Sequence, residues 1–149
     1  MESIQFSILI YADRIKVWNT MLEDETYRKW TKAFHSSSYY EGNWNQGSEI
    51  LFLAPNDEGK AEGMYSRIKE NIKHEFISIE HLGIISRGAI DTSSDEVKKW
   101  TPSLENYTLT DLGNKTELKI ELQVPEDYKR MFEEMWLVAL NALKSLCEQ

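Results

Sequence analysis

The sequence predicts an α+β domain in which a curved antiparallel sheet of about six strands wraps a long carboxy-terminal helix, with two short helices after the first strand. Three observations carry this reading. Period-2 alternation of apolar and polar residues recurs from residue 4 to residue 124, and turn residues separate most of the segments. Two short stretches at helical spacing interrupt the series just after the first strand, and residues 126–148 hold a wide apolar face at helical spacing. A chain of 149 residues is long enough to bury one continuous core, so a single domain over 1–149 is expected.

The first strand, residues 4–10, places Ile4, Phe6, Ile8 and Ile10 on one side. Ile15, Trp18 and Leu22 then repeat at helical spacing, and a second short helix after Asp24 carries Tyr27, Trp30 and Phe34. Further strands are expected at 48–54, 62–70, 75–82, 105–111 and 115–124. Asn56-Asp57-Glu58-Gly59 reads as one hairpin loop and Leu112-Gly113-Asn114-Lys115 as another. Between 82 and 105 the spacing of Ser93 and Glu96 fits a capping box, which predicts a short helical turn ending near Trp100, with Pro102 resetting the chain. Pro125 followed by Glu126 and Asp127 suits the start of the last helix. On that helix Met131, Phe132, Met135, Trp136, Val138, Ala139, Ala142, Leu143 and Leu146 form the apolar side.

Polar residues mark the solvated face of each strand, which leaves an inner face. Ile50 and Phe52 point inward from the second strand, Met64, Ser66 and Ile68 from the third, and Ile77, Ile79 and His81 from the fourth. The last two strands add Tyr107 and Leu109, then Leu118, Ile120 and Leu122. Ser66, His81 and Tyr107 are the polar exceptions on an oily wall. A few such groups either bond to the backbone or orient a ligand in a pocket.

The segments "YADRIKVWNTML" at 11–22, "GNWNQGSEILFL" at 42–53 and "AEGMYSRIKENIKHEFISIEHLG" at 61–83 resemble the activator of heat-shock ATPase homologue-like family of the START-like, or SRPBCC, superfamily. The resemblance covers nearly the whole chain and implies the helix-grip fold, with a cavity between sheet and last helix that the superfamily commonly uses for lipids, polyketides, hormones and other apolar molecules. On this basis the cavity is expected to be walled by Phe52, Met64, Ile79, Leu109 and Ile120 and lidded by Trp30 and Phe34. Met131, Met135 and Ala139 would line its floor, with Ser66, His81 and Tyr107 as polar handles. The eponymous eukaryotic activators carry a separate chaperone-binding domain, for which this chain has no room, so chaperone activation is not carried over. The glycines at 42 and 47 resemble the family's turn into the second strand, with Trp44 as its anchor rather than a sugar platform.

Other chemistry finds little support. With 17 Lys and Arg against 25 Asp and Glu, the net charge of -8 repels phosphate backbones and anionic lipid, so no nucleic-acid partner is expected. No apolar run reaches the ~20 residues of a membrane span, and the N-terminus lacks the pattern of a signal peptide. His35, His74 and His81 have no metal-ligand spacing, Cys147 is the single cysteine, and no phosphate-binding glycine motif occurs. No metal or cofactor is therefore expected, and a reducing, cytoplasmic setting fits the lone cysteine. The leading expectation is a binding protein for a mostly apolar small molecule. An enzyme of the cyclase or hydrolase kind, with His81 or Tyr107 as acid or base, is the second, and a chaperone-associated interaction module the third.

Overall fold

The computed structural model describes all residues from Met1 to Gln149. Strand β1 (Glu2–Ile10) is followed by helices α1 (Arg14–Leu22) and α2 (Asp24–Trp30), then by β2 (Tyr39–Gly42), β3 (Glu49–Pro55), β4 (Ala61–Ile72) and β5 (Phe76–Ser86). The short β6 (Ala89–Asp91), β7 (Ser103–Asp111), β8 (Thr116–Val124) and helix α3 (Lys129–Cys147) complete the order. All pairings are antiparallel, in the order β1-β8-β7-β5-β4-β3-β2, with β6 beside β5. This is the α+β helix-grip arrangement the sequence predicts.

The local chemistry explains the boundaries. Asp13 caps α1 by accepting a hydrogen bond from the Lys16 N–H at 2.9 Å. Asn56 Oδ1 accepts from the N–H groups of Glu58 and Lys60 and closes the β3–β4 hairpin, while the Leu112 N–H donates to the Lys115 carbonyl at the β7–β8 turn. Register shifts between Tyr65 and Ser66, and between Ile68 and Glu70, break the β4–β5 ladder twice. Such irregularities bend a strand pair and increase its twist, which is what lets the sheet curve around α3.

The structure corrects several expectations. There are eight strands rather than about six, because β2 and β6 span only four and three residues, too short for alternation to register. The turn near Trp100 is a 3-10 turn over Val97–Lys99, and the Val97 N–H is capped by Ser94, not Ser93. Ile15 is 56% exposed; Val17, Trp18, Met21 and Leu22 form the buried side of α1. On α3, Met131 and Val138 are also exposed, and the buried row is Trp136, Ala139, Leu140, Leu143 and Cys147. One continuous core joins this row to Ile4 and Ile10 of β1, Ile77 and Ile79 of β5, and Leu118 and Ile120 of β8.

Gly63 is the tightest backbone position. Its φ is +154°, and a Cβ placed there would lie 1.8 Å from the Phe52 carbonyl oxygen on the paired strand. Gly63→Ala should therefore push β3 from β4 and destabilise the fold by roughly 2 kcal/mol or more, lowering Tm by about 4–8 °C. Thermal unfolding of the variant checks this; an unchanged Tm would refute the constraint.

Candidate functional site

Between the concave face of the sheet, α2 and α3 lies a cavity of about 240 Å³. Its lining is predominantly apolar and aromatic, and its rim includes the exposed His35 and Gln123. Trp136 stands at its back, with ring centroids 5.0 Å from Phe34, 6.0 Å from Phe6 and Trp30, and 6.1 Å from Tyr107. Such pairs are worth about 0.5–1.5 kcal/mol each beyond the area they bury. The upper wall is tied down by hydrogen bonds: Trp30 Nε1 donates to the Met21 carbonyl at 3.0 Å, and Tyr40 Oη and Trp44 Nε1 both donate to the Leu22 carbonyl. Trp44 is thus the anchor of its turn, and its ring also lines the cavity.

Of the residues singled out from the sequence, Trp30, Phe34, Phe52, Met64, Ile79, His81 and Tyr107 line the cavity. Leu109 and Ile120 do not; they are inward-facing, as alternation requires, but lie in the packed core. Ser66 is fully buried and reaches the site only through His81. Met131, Met135 and Ala139 do not line it either: Met131 is 46% exposed, Met135 half-buried, and Ala139 packed in the core. The helix presents Phe132 and Trp136 instead, a row one residue further along and so rotated by about 100°. An apolar face that covers most of a helix does not reveal which row looks into a cavity.

Across one wall runs a chain of polar contacts. The Ser66 hydroxyl lies 2.6 Å from His81 Nδ1, and His81 Nε2 lies 3.0 Å from Glu105 Oε1. The Tyr107 hydroxyl donates to the other carboxylate oxygen of Glu105. Because a carboxylate only accepts, Nε2 carries a proton, and in the neutral imidazole Nδ1 accepts from Ser66. Burial holds the Tyr107 phenol well above its usual pKa, reinforced by the negative charge of Glu105 and the hydrogen bond to it. Burial, then the same charge, raises Tyr27. Glu105 was not among the residues expected here, though the signal existed: it stands two residues before Tyr107, on the same face of β7. Starting that strand at residue 105 left no strand before it to show the alternation, whereas β7 begins at Ser103.

Little else could react. Cys147 is buried in the core, and burial pushes its thiol up to about 11. No group of three or more His, Cys, Asp or Glu side chains is arranged to hold a metal ion. No helix is long and apolar enough to cross a membrane.

No family model matches the chain, and no curated protein matches it. Solved structures do. The Aha1 dimer from Colwellia psychrerythraea superposes with a TM-score of 0.71 at 18% identity, covering 99% of this chain and 97% of that one. ChR145 from Cytophaga hutchinsonii gives 0.73 at 19%, covering 99% and 94%, and CalU16 from Micromonospora echinospora 0.67 at 16%, covering 97% and 75%. At these identities the similarity establishes the shared fold.

The buried phenols and thiol carry a pH dependence. Tyr27, Tyr107 and Cys147 keep their protons to higher pH when folded than when unfolded. Their contribution is complete below about pH 9 and is lost as pH rises through the alkaline range. Urea unfolding at pH 8, 9.5 and 10.5 should show falling midpoints, with a shallower fall in Tyr107→Phe. A flat profile would contradict the buried, protonated phenols.

Proposed function

We propose that this chain binds a mostly apolar small molecule in the cavity between the sheet and α3. The observation that carries the reading is a cavity of about 240 Å³ whose wall is apolar except for a few groups, chief among them the His81, Glu105 and Tyr107 cluster. Concave apolar sites with a few convergent polar groups are the usual form of small-molecule sites. Burying ~10 methylene equivalents contributes about 8 kcal/mol before the costs of ordering and rigid-body association are subtracted. What remains is in the range of moderate affinity. The shared fold with the Aha1 and CalU16 structures supports an architecture of this kind and leaves the ligand open.

An acyl-transfer reading receives no support from the geometry. Ser66, His81 and Glu105 stand in the order of a nucleophile, a base and an acid, but the Ser66 side chain is fully buried behind His81 and does not line the cavity. A nucleophile must reach the atom it attacks.

Titration of isotope-labelled protein with fatty alcohols, sterols and small aromatic compounds tests the binding reading. At least one class should give saturable amide shifts at Ile77, Ile79, His81, Tyr107 and Trp136. Met64→Trp, which places an indole in the cavity from a half-buried position, should weaken the response at least tenfold with little loss of stability. Shifts confined to the outer surface of the sheet would sink the proposal.

A further inference from the structure

The residues of fixed charge around the cavity are all acidic. No lysine or arginine lines it, whereas Glu62 and Glu105 do. The Glu105 side chain is 19% exposed, and its one ion-pair neighbour is the His81 imidazole. A carboxylate can accept at about four lone-pair positions. His81 takes one on the first oxygen and Tyr107 one on the second, and no other side-chain donor reaches either oxygen. The donors of the cluster are spent in the same contacts: His81 and Tyr107 on Glu105, while the Ser66 hydroxyl, paired with His81 and fully buried, does not reach the cavity. Toward the cavity, this cluster has acceptors left and no donors.

Building on the binding reading above, we propose that the cavity selects an apolar molecule carrying a hydroxyl or amine donor, which it presents to Glu105, and turns away carboxylates of the same size and shape. A neutral hydroxyl fills an open acceptor position without adding charge. An ammonium also neutralises the carboxylate, and the lining is rich in aromatic rings, Trp30, Phe34, Tyr107 and Trp136 among them, whose faces attract a cation that meets them. A carboxylate meets the like charge of Glu105 in an apolar lining that holds no lysine or arginine to offset it, and its oxygens find no donor in the cluster. The volume sets the scale. An engineered cavity of ~150 Å³ in another protein holds benzene, so about 240 Å³ with a solvent-facing rim suits a molecule of one or two rings.

The experiment is calorimetric titration of the full chain at pH 7.5 with four matched probes: naphthalene, 2-naphthol, 2-naphthylmethylamine and 2-naphthoate. The naphthol and the amine should bind about tenfold or more tighter than the naphthoate. In Glu105→Gln, which keeps the shape and removes the charge, the gap should narrow to within about threefold, chiefly because the naphthoate binds better. Equal or tighter binding of naphthoate to the wild-type chain overturns the inference while leaving the cavity reading intact, and so does an unchanged gap in the variant. Absence of saturable binding by all four, naphthalene included, overturns the inference, and the cavity reading falls with it when the fatty alcohols, sterols and small aromatic compounds above also give no cavity shifts. Should Glu105→Gln fail to fold by circular dichroism, the wild-type ranking alone decides.

Discussion

The packing of the Trp136 indole is the contact on which the rest of the site depends. It projects from α3 into a ring of side chains supplied by β1, β7, α2 and the turn that follows α2, through Phe6, Tyr107, Trp30 and Phe34. A sheet closes around a helix only if something bulky fills the widest part of the gap, because voids forfeit both dispersion and transfer energy. Trp136 fills part of that gap and leaves the rest as the cavity. The same residue therefore fixes the distance between sheet and helix and forms the back wall of the site.

That arrangement places the polar groups where they matter energetically. Ser66, His81, Glu105 and Tyr107 come from β4, β5 and β7, three strands adjacent in the sheet. No buried side-chain nitrogen or oxygen is left without a partner. A fully satisfied network of this kind is rigid, because moving one member would strand another in a medium that cannot solvate it. The Glu105 carboxylate, bonded on one oxygen by His81 and on the other by Tyr107, is consequently held in place by the protein itself.

The fold was legible because it rests on periodicity. Alternation in residues 4–10 and 115–124 identified the inner face before any pairing was known, and Ile4, Ile10, Leu118 and Ile120 are buried accordingly. Alternation says which side a residue faces, however, and not how far along the strand the core gives way to a cavity. Leu109 and Tyr107 face the same way, yet one packs in the core and the other borders the cavity. On α3 the apolar residues cover too much of the circumference to single out a row, and only the docking against Phe6, Trp30 and Tyr107 selects Phe132 and Trp136 over Met131 and Met135. Short elements such as β2 and β6 owe their existence to pairing partners rather than to their own residues.

Glu105 shows why charge inside an apolar wall is more informative than the wall itself. Hydrophobic burial is nearly indifferent to the identity of what is buried, so the rings around the cavity say little about the chemistry of any molecule that fits it. Electrostatics is not indifferent: two like unit charges about 4 Å apart repel by ~4 kcal/mol at an effective dielectric of 20, half the gross gain from ~10 buried methylenes. One ionised side chain can thus outweigh much of the apolar contact in deciding which molecules stay. Neither His81 nor Tyr107 brings a cation of fixed charge to the wall, as an arginine would, so the carboxylates of Glu62 and Glu105 are the acidic groups in its lining.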